Sequence, residues 1–237
     1  MPNGKHHRVL VVGGGTAGIT VAAILRRRAR DLDIAVVEPE QEHYYQPSLT
    51  LVGAGVYPLA KTHRPEASVI PPGVIWIRGA AKSFEPEKNL VRLHNGDALT
   101  YEYLVVCTGV KLNWDKVIGL AETLGTNGVC SNYSPTSVNY TWECVQKLKP
   151  GDKIICTQPP LPFKCPGAPQ KIAYLIADRL RRRGILKQCS IGRHFRRAVF
   201  CPRVGQGRGT LRHQCQLSAA TRGRERQRQD RNLRIRR

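Results

Sequence analysis

The stretch "RVLVVGGGTAGITVAAILRRRA", residues 8–29, constrains the fold of this chain more than any other segment. An apolar run, Val9 to Val12, meets a cluster of glycines and then a helix-forming segment. Gly13, Gly15 and Gly18 stand in the order G-x-G-x-x-G. In a strand–turn–helix unit the first glycine permits the tight turn. The second lets backbone approach a pyrophosphate, and the third allows close helix–strand packing. The helix N-terminus favours the phosphate charge. A second strand pattern, "DIAVVE", ends at Glu38, 20 residues after Gly18. Alone, Glu38 reads as a solvated strand-end acid. Within this frame it is placed to hold a ribose hydroxyl, so Gly13, Gly15, Gly18 and Glu38 together predict dinucleotide binding.

The 237 residues suffice for one large domain or two small ones, and 41% of them are apolar, enough for a core. After Glu38 come "QEHYYQPSLTLVGAG", "VIWIRG" and "NLVRLHNGDALTYEYLVVCTG". Asn95-Gly96 is a strong hairpin signal, and "YEYLVVCTG" reads as an apolar strand stopped by Thr108-Gly109. No run of about 18 apolar residues exists, so no transmembrane helix is predicted. The N-terminus lacks the apolar region of a signal peptide. The eight cysteines are scattered without CxxC spacing, and the seven histidines do not cluster with them. This pattern predicts neither a disulfide framework nor a metal site, but reduced thiols in a cytoplasmic setting.

A meander closed by a strand ending in Thr-Gly resembles the flavoproteins with two dinucleotide-binding domains, of the glutathione reductase type. A narrower resemblance covers residues 7 to about 191. "HYYQPSLTLVGAG", "CTGVKLNWDKVIGL", "SNYSP" and "KCPGAPQKI", in that order, resemble the sulfide:quinone oxidoreductases shared by bacteria and mitochondria. The resemblance implies an α/β fold, with an incomplete Rossmann-like FAD-binding domain over residues 1–115 and an inserted β-meander. The start of a second nucleotide-like α/β unit would occupy residues 116–191. FAD is the implied cofactor, and sulfide and quinone the implied substrates. Electrons would pass from sulfide to FAD through a cysteine persulfide, then to quinone, with the protein peripheral to the inner membrane. Gly13, Gly15, Gly18 and Glu38 would hold the adenosine diphosphate part of FAD. Gln46 and Pro47 would lie near the flavin, Thr108 and Gly109 would close its site, and Cys165 would handle sulfide. Read by themselves, residues 44–47 have a packed aromatic loop as the other reading.

"DKIICTQ" reads as the first strand of the second unit and "APQKIAYLIADRLRRRG" as its helix. Pro169 suits the first helical position, and Gly184 the residue past the end. Ile172, Leu175, Ile176 and Leu180 recur at helical spacing and make a core face. Arg181 to Arg183 complement the helix dipole. Where a glycine-rich phosphate loop would normally lie, "PLPFKCPGAPQKI" places a cysteine among prolines, so NAD(P)H is not the predicted donor for this half. Cys165 precedes a helix and neighbours Lys164, features that favour a nucleophilic thiolate; a structural thiol is the other reading. Cys107, Cys156 and Cys189 read as core thiols in strands, and Cys144 as a helix packing residue. Cys130, in "NGVCSNYSP", stays open, since some relatives carry a redox cysteine near this point and others do not.

The charge is uneven. The chain carries +21, of which residues 192–237, with 14 arginines, no lysine and 2 acids, supply +12. This arginine-rich end has no sustained periodicity and predicts a disordered tail. An alternative function is nucleic-acid binding through it, although its only aromatics, Phe195 and Phe200, lie near its start and supply few stacking platforms. The abrupt change after "LKQCSI" predicts out-of-frame translation of a longer ancestral product. Back-translated with free wobble bases and read one base downstream, "LRHQCQLSAATRGRE" permits a strand-like alternating string.

Overall fold

The structure is a computed structural model that describes residues 5–158 and 164–195, with residues 193–195 as backbone only. The apolar run of residues 9–12 becomes the buried end of β1 (Lys5–Val12). Gly13 turns the chain at φ 109° into α1 (Thr16–Arg28). The chain returns as β2 (Ile34–Val37), buried throughout and parallel to β1, with Val9 opposite Ile34 and Val12 opposite Val37. Strands covered on both faces read as continuous apolar runs rather than as alternation. Successive residues then feed opposite faces. Leu10, Val12, Ala35 and Val37 enter one core cluster with Val91, Leu93 and Leu99. Val9, Val11, Ile34 and Val36 enter the other with Ala22 of α1.

The segment after β2 makes a small antiparallel pair, β3 (Glu42–Tyr44) and β4 (His63–Pro65), with α2 (Leu49–Gly53) between them. The short helix α3 (Glu66–Val69) follows, and β5 (Ile75–Ile77) joins β2 in parallel. The predicted meander is β6 (Ala81–Glu85), β7 (Leu90–Leu93) and β8 (Ala98–Val106). Gly96 takes φ 92° at the predicted turn, and the Leu93 N–H donates to the Asp97 carbonyl at 2.9 Å. β8 lies parallel to β1 from Lys5↔Leu99 to Val12↔Val106. The six-stranded mixed sheet has the order β5-β2-β1-β8-β7-β6. The chain moves from β1 to β2 and β5 on one side, then crosses to β6 at the far edge and returns through β7 to β8 beside β1, so the topological switch point lies beside β1. α4 (Leu120–Thr123) and α5 (Val138–Lys147) follow. Leu49 and Val52 of α2 pack with Val138 of α5.

The first compact unit therefore runs to Lys147, and the second begins at Leu148. The division falls later than the 115/116 boundary read from the sequence, because α5 shares a core with α2. The second unit holds β9 (Lys153–Gln158), α6 (Ala168–Arg182) and β10 (Ser190–Phe195), the two strands parallel from Ser190↔Lys153 to Phe195↔Gln158. Ile172, Ala173, Ile176 and Leu180 form the buried face of α6, with Leu175 half-buried. Gly184 takes φ 74° just past the C-cap Arg183, as read, but Gly167 is the N-cap, so Pro169 is the second helical residue and not the first.

Two further expectations shift. Gly192 to Phe195 belong to β10, because backbone pairing with β9 orders them whatever their side chains. The rest of the arginine-rich tail, with its nucleic-acid alternative and its proposed frame change, lies outside the described residues. Cys156 is a buried strand thiol, as read. Cys107 instead follows β8, and Cys189 precedes β10 with its thiol toward the Lys149 carbonyl at 3.3 Å.

Candidate dinucleotide site and cysteine segment

The C-terminal ends of β2, β1 and β8 lie side by side. The Gly13 N–H donates to the Val37 carbonyl at 2.8 Å, and the Cys107 N–H to the Val12 carbonyl at 2.7 Å. This brings the glycine turn, Glu38 and the Thr108-Gly109 segment to one sheet edge, the place where open α/β sheets bind ligands. The three glycines of the fingerprint have different reasons to be glycine. A Cβ on Gly13 would lie 2.4 Å from the Cys107 carbonyl oxygen, and one on Gly18 1.8 Å from the Gly13 oxygen. A Cβ on Gly15 would meet nothing within 4 Å, and its backbone, at φ −64° and ψ 179°, suits any residue. Gly13 and Gly18 therefore build the turn, whereas Gly15 keeps a space open over it. No side chain caps α1 at Gly15, so the first amides of the helix remain available to an anion.

Glu38 is pinned from two directions. The Gly14 N–H donates to its Oε2 at 2.7 Å and the Glu40 N–H to its Oε1 at 2.9 Å. The indole Nε1 of Trp76, on β5, donates to the Glu38 carbonyl at 3.0 Å. Gln46 and Pro47 lie in a one-turn 3-10 helix, Gln46–Ser48, between β3 and α2. Thr108 and Gly109 are exposed, and Gly109 takes φ 70°.

No motif in the sequence singles out Glu66. It opens α3 after Pro65, where an acid reads as a solvated helix-start residue. The structure buries it to 1% exposure. Its Oε2 lies 3.4 Å from Nδ1 of His43, and its Oε1 has no hydrogen-bond partner. Burial, reinforced by the charge of Glu38, pushes its carboxyl up to about 7.

In the second unit Cys165 is exposed and takes φ 54°, one of three non-glycine residues at positive φ among the described residues. A left-handed conformation at a residue other than glycine, asparagine or aspartate is uncommon, and such residues cluster at functional positions. Cys165 precedes the N-cap of α6, and its carbonyl accepts from the Ala168 N–H at 2.9 Å. Partial burial pushes the Lys164 ammonium down, and the neighbouring Cys165 acts in the opposite direction. In the first unit, burial pushes the Cys130 thiol up, against a lowering hydrogen bond from Thr141, and Cys144 adds to the rise. The Cys130 thiol faces the Gly128 carbonyl at 3.7 Å.

Residues 7–136 match the pyridine nucleotide-disulphide oxidoreductase family, and the chain belongs to it. The family consists of FAD-binding flavoproteins, and the open turn at Gly15, the uncapped helix start and the pinned Glu38 fit the adenosine diphosphate end of that cofactor. Within the family, the chain is 45% identical over 179 residues to a mitochondrial sulfide:quinone oxidoreductase of Dictyostelium discoideum, and 42% identical over 180 residues to that of Mus musculus. These matches cover 75% and 76% of the chain but 40% of each relative. The solved sulfide:quinone oxidoreductase of Aquifex aeolicus is 28% identical, with a TM-score of 0.61 over 78% of this chain and 42% of that one. Among the described residues no helix is long and apolar enough to cross a membrane.

Proposed function

We propose that this chain carries the FAD-holding turn and the sulfide-handling cysteine of a sulfide:quinone oxidoreductase. The observation that carries the reading is the 45% identity to the Dictyostelium enzyme over 179 residues. Gly13, Gly15, Gly18 and Glu38 receive the adenosine diphosphate moiety. Gln46, Pro47, Thr108 and Gly109 border the flavin. Cys165 takes part in covalent chemistry. A sulfur–sulfur bond forms between Cys165 and a hydrosulfide ion, the thiol and sulfide protons leave, and two electrons are released. FAD held by Gly13, Gly15, Gly18 and Glu38 would supply the acceptor for those two electrons, and a quinone taking up two protons would be their final acceptor. Quinones dissolve in membranes, so the complete reaction belongs at a membrane surface. Cys130, whose thiol burial pushes up, is not assigned the attacking role.

Anaerobic addition of sulfide to the flavin-loaded chain tests this. Bleaching of the flavin, with a persulfide on Cys165 found by mass spectrometry, is expected. Loss of both in Cys165→Ser is expected as well. Flavin reduction at the unmodified rate in Cys165→Ser would defeat the assignment.

A further inference from the structure

Gly14 lies between two carboxyl side chains. A Cβ built on it would stand 2.5 Å from Oε1 of Glu66 and 2.7 Å from Cβ and Cγ of Glu38. Glu38 is the acid of the dinucleotide motif. Glu66 belongs to no motif, yet its carboxyl is buried against the back of the same turn. We propose that Glu66 is a positioning residue of the dinucleotide site, holding Gly14 and Glu38 in place, and that its charge state sets how well the turn accepts an anionic dinucleotide. The proposal rests on the reading of this turn as the FAD site.

The groups around Glu66 are few. Glu38 approaches from the end of β2, and His43 from β3 at 3.4 Å. Across β3 and β4, Glu42 and His63 pair with each other, and Arg64 donates to the His63 carbonyl at 2.7 Å. Among the described residues no lysine or arginine pairs with Glu66. An ionised carboxylate with one oxygen unpartnered and beside a second carboxylate is costly in a buried site. Protonation removes that cost, and the carboxyl then packs as a neutral wall behind Gly14. Deprotonation adds a negative charge behind amides that must receive a pyrophosphate. The raised carboxyl, near 7, places the change in the neutral range. The amide of glutamine reproduces the neutral form.

The test is FAD binding to the full chain, followed by flavin fluorescence from pH 6 to pH 8. FAD itself keeps its charge over this range. The unmodified chain is expected to lose affinity on the order of tenfold as the pH rises, the effect of one unit of linkage. Glu66→Gln is expected to bind at pH 8 as the unmodified chain does at pH 6, with a nearly flat profile. His43→Gln is expected to keep most of the slope, which separates the acid from the adjacent imidazole. Infrared titration of the unmodified chain gives a reading independent of any variant's folding. A protonated carboxyl band that titrates near neutrality and shifts when FAD binds is expected. A slope unchanged in Glu66→Gln, or a carboxyl band indifferent to FAD, overturns the proposal and leaves the FAD site standing. No FAD uptake at any pH overturns both.

Discussion

The backbone N–H of Gly14 donates to Oε2 of Glu38 at 2.7 Å, so the acid that would receive the ribose also fastens the turn that would receive the pyrophosphate. Glu38→Ala removes the acceptor for this amide and for that of Glu40. Bonds to a charged acceptor each contribute about 1.5–3 kcal/mol, and partial exposure lowers that, so a loss of about 2 kcal/mol in stability is expected. Glu38→Gln keeps an acceptor oxygen and should lose less. Urea unfolding of the three chains measures the difference, and equal midpoints would show that these bonds contribute nothing.

Substitutions at the fingerprint glycines should separate folding from binding. Gly15→Val enters open space with an allowed backbone, so stability should change by no more than about 1 kcal/mol. FAD affinity should fall at least tenfold, since the branched side chain fills the approach to the turn. Gly13→Ala and Gly18→Ala drive a Cβ into backbone and should unfold the first unit. Thermal melts beside flavin titrations distinguish the cases, and stoichiometric flavin in Gly15→Val would refute the site.

Glu66 should make stability pH-dependent without any ligand. Its carboxyl rises from 4.5 to about 7 on folding. Between those values the folded chain binds more protons than the unfolded one, so stability is full below pH 4.5 and declines as pH rises toward 7. The total decline is up to about 3 kcal/mol. Glu66→Gln should therefore gain stability relative to the unmodified chain on going from pH 4.5 to pH 8. Denaturant midpoints at the two pH values check this, and a pH-independent difference would contradict it.

Cysteine reactivity should follow exposure and charge. Cys165 is exposed, Cys156 is buried and burial pushes the Cys130 thiol up. Brief alkylation at pH 7 under native conditions should label Cys165 first, by at least tenfold over Cys130, which is the less accessible. Peptide mapping by mass spectrometry gives the order. Equal labelling of Cys165, Cys130 and Cys156 would mean that the local environments do not set reactivity.

The first βαβ unit was legible because its signals are local. Val9 to Val12, the glycine spacing and Glu38 each report a backbone requirement that lies within about thirty residues. The Asn95-Gly96 turn is legible for the same reason, since φ 92° at Gly96 is a demand of the turn itself. Element ends are less local. Pro169 fell one position later than expected and Cys107 just past its strand, because termini depend on neighbouring contacts more than on residue type.

The sequence by itself determined the α/β class, the glycine turn with its acid, and a cysteine segment in place of a phosphate loop, since these rest on short-range geometry and on residue chemistry. Only the tertiary structure decided that Glu66 is buried. Nothing in "HRPEASV" distinguishes a solvated acid from one folded under Gly14, and burial is fixed by β3, β4 and α3 packing together. The same holds for Gly15 against Gly13 and Gly18. Three identical residues read alike in the sequence, and only the atoms around each show which build the turn and which leaves it open.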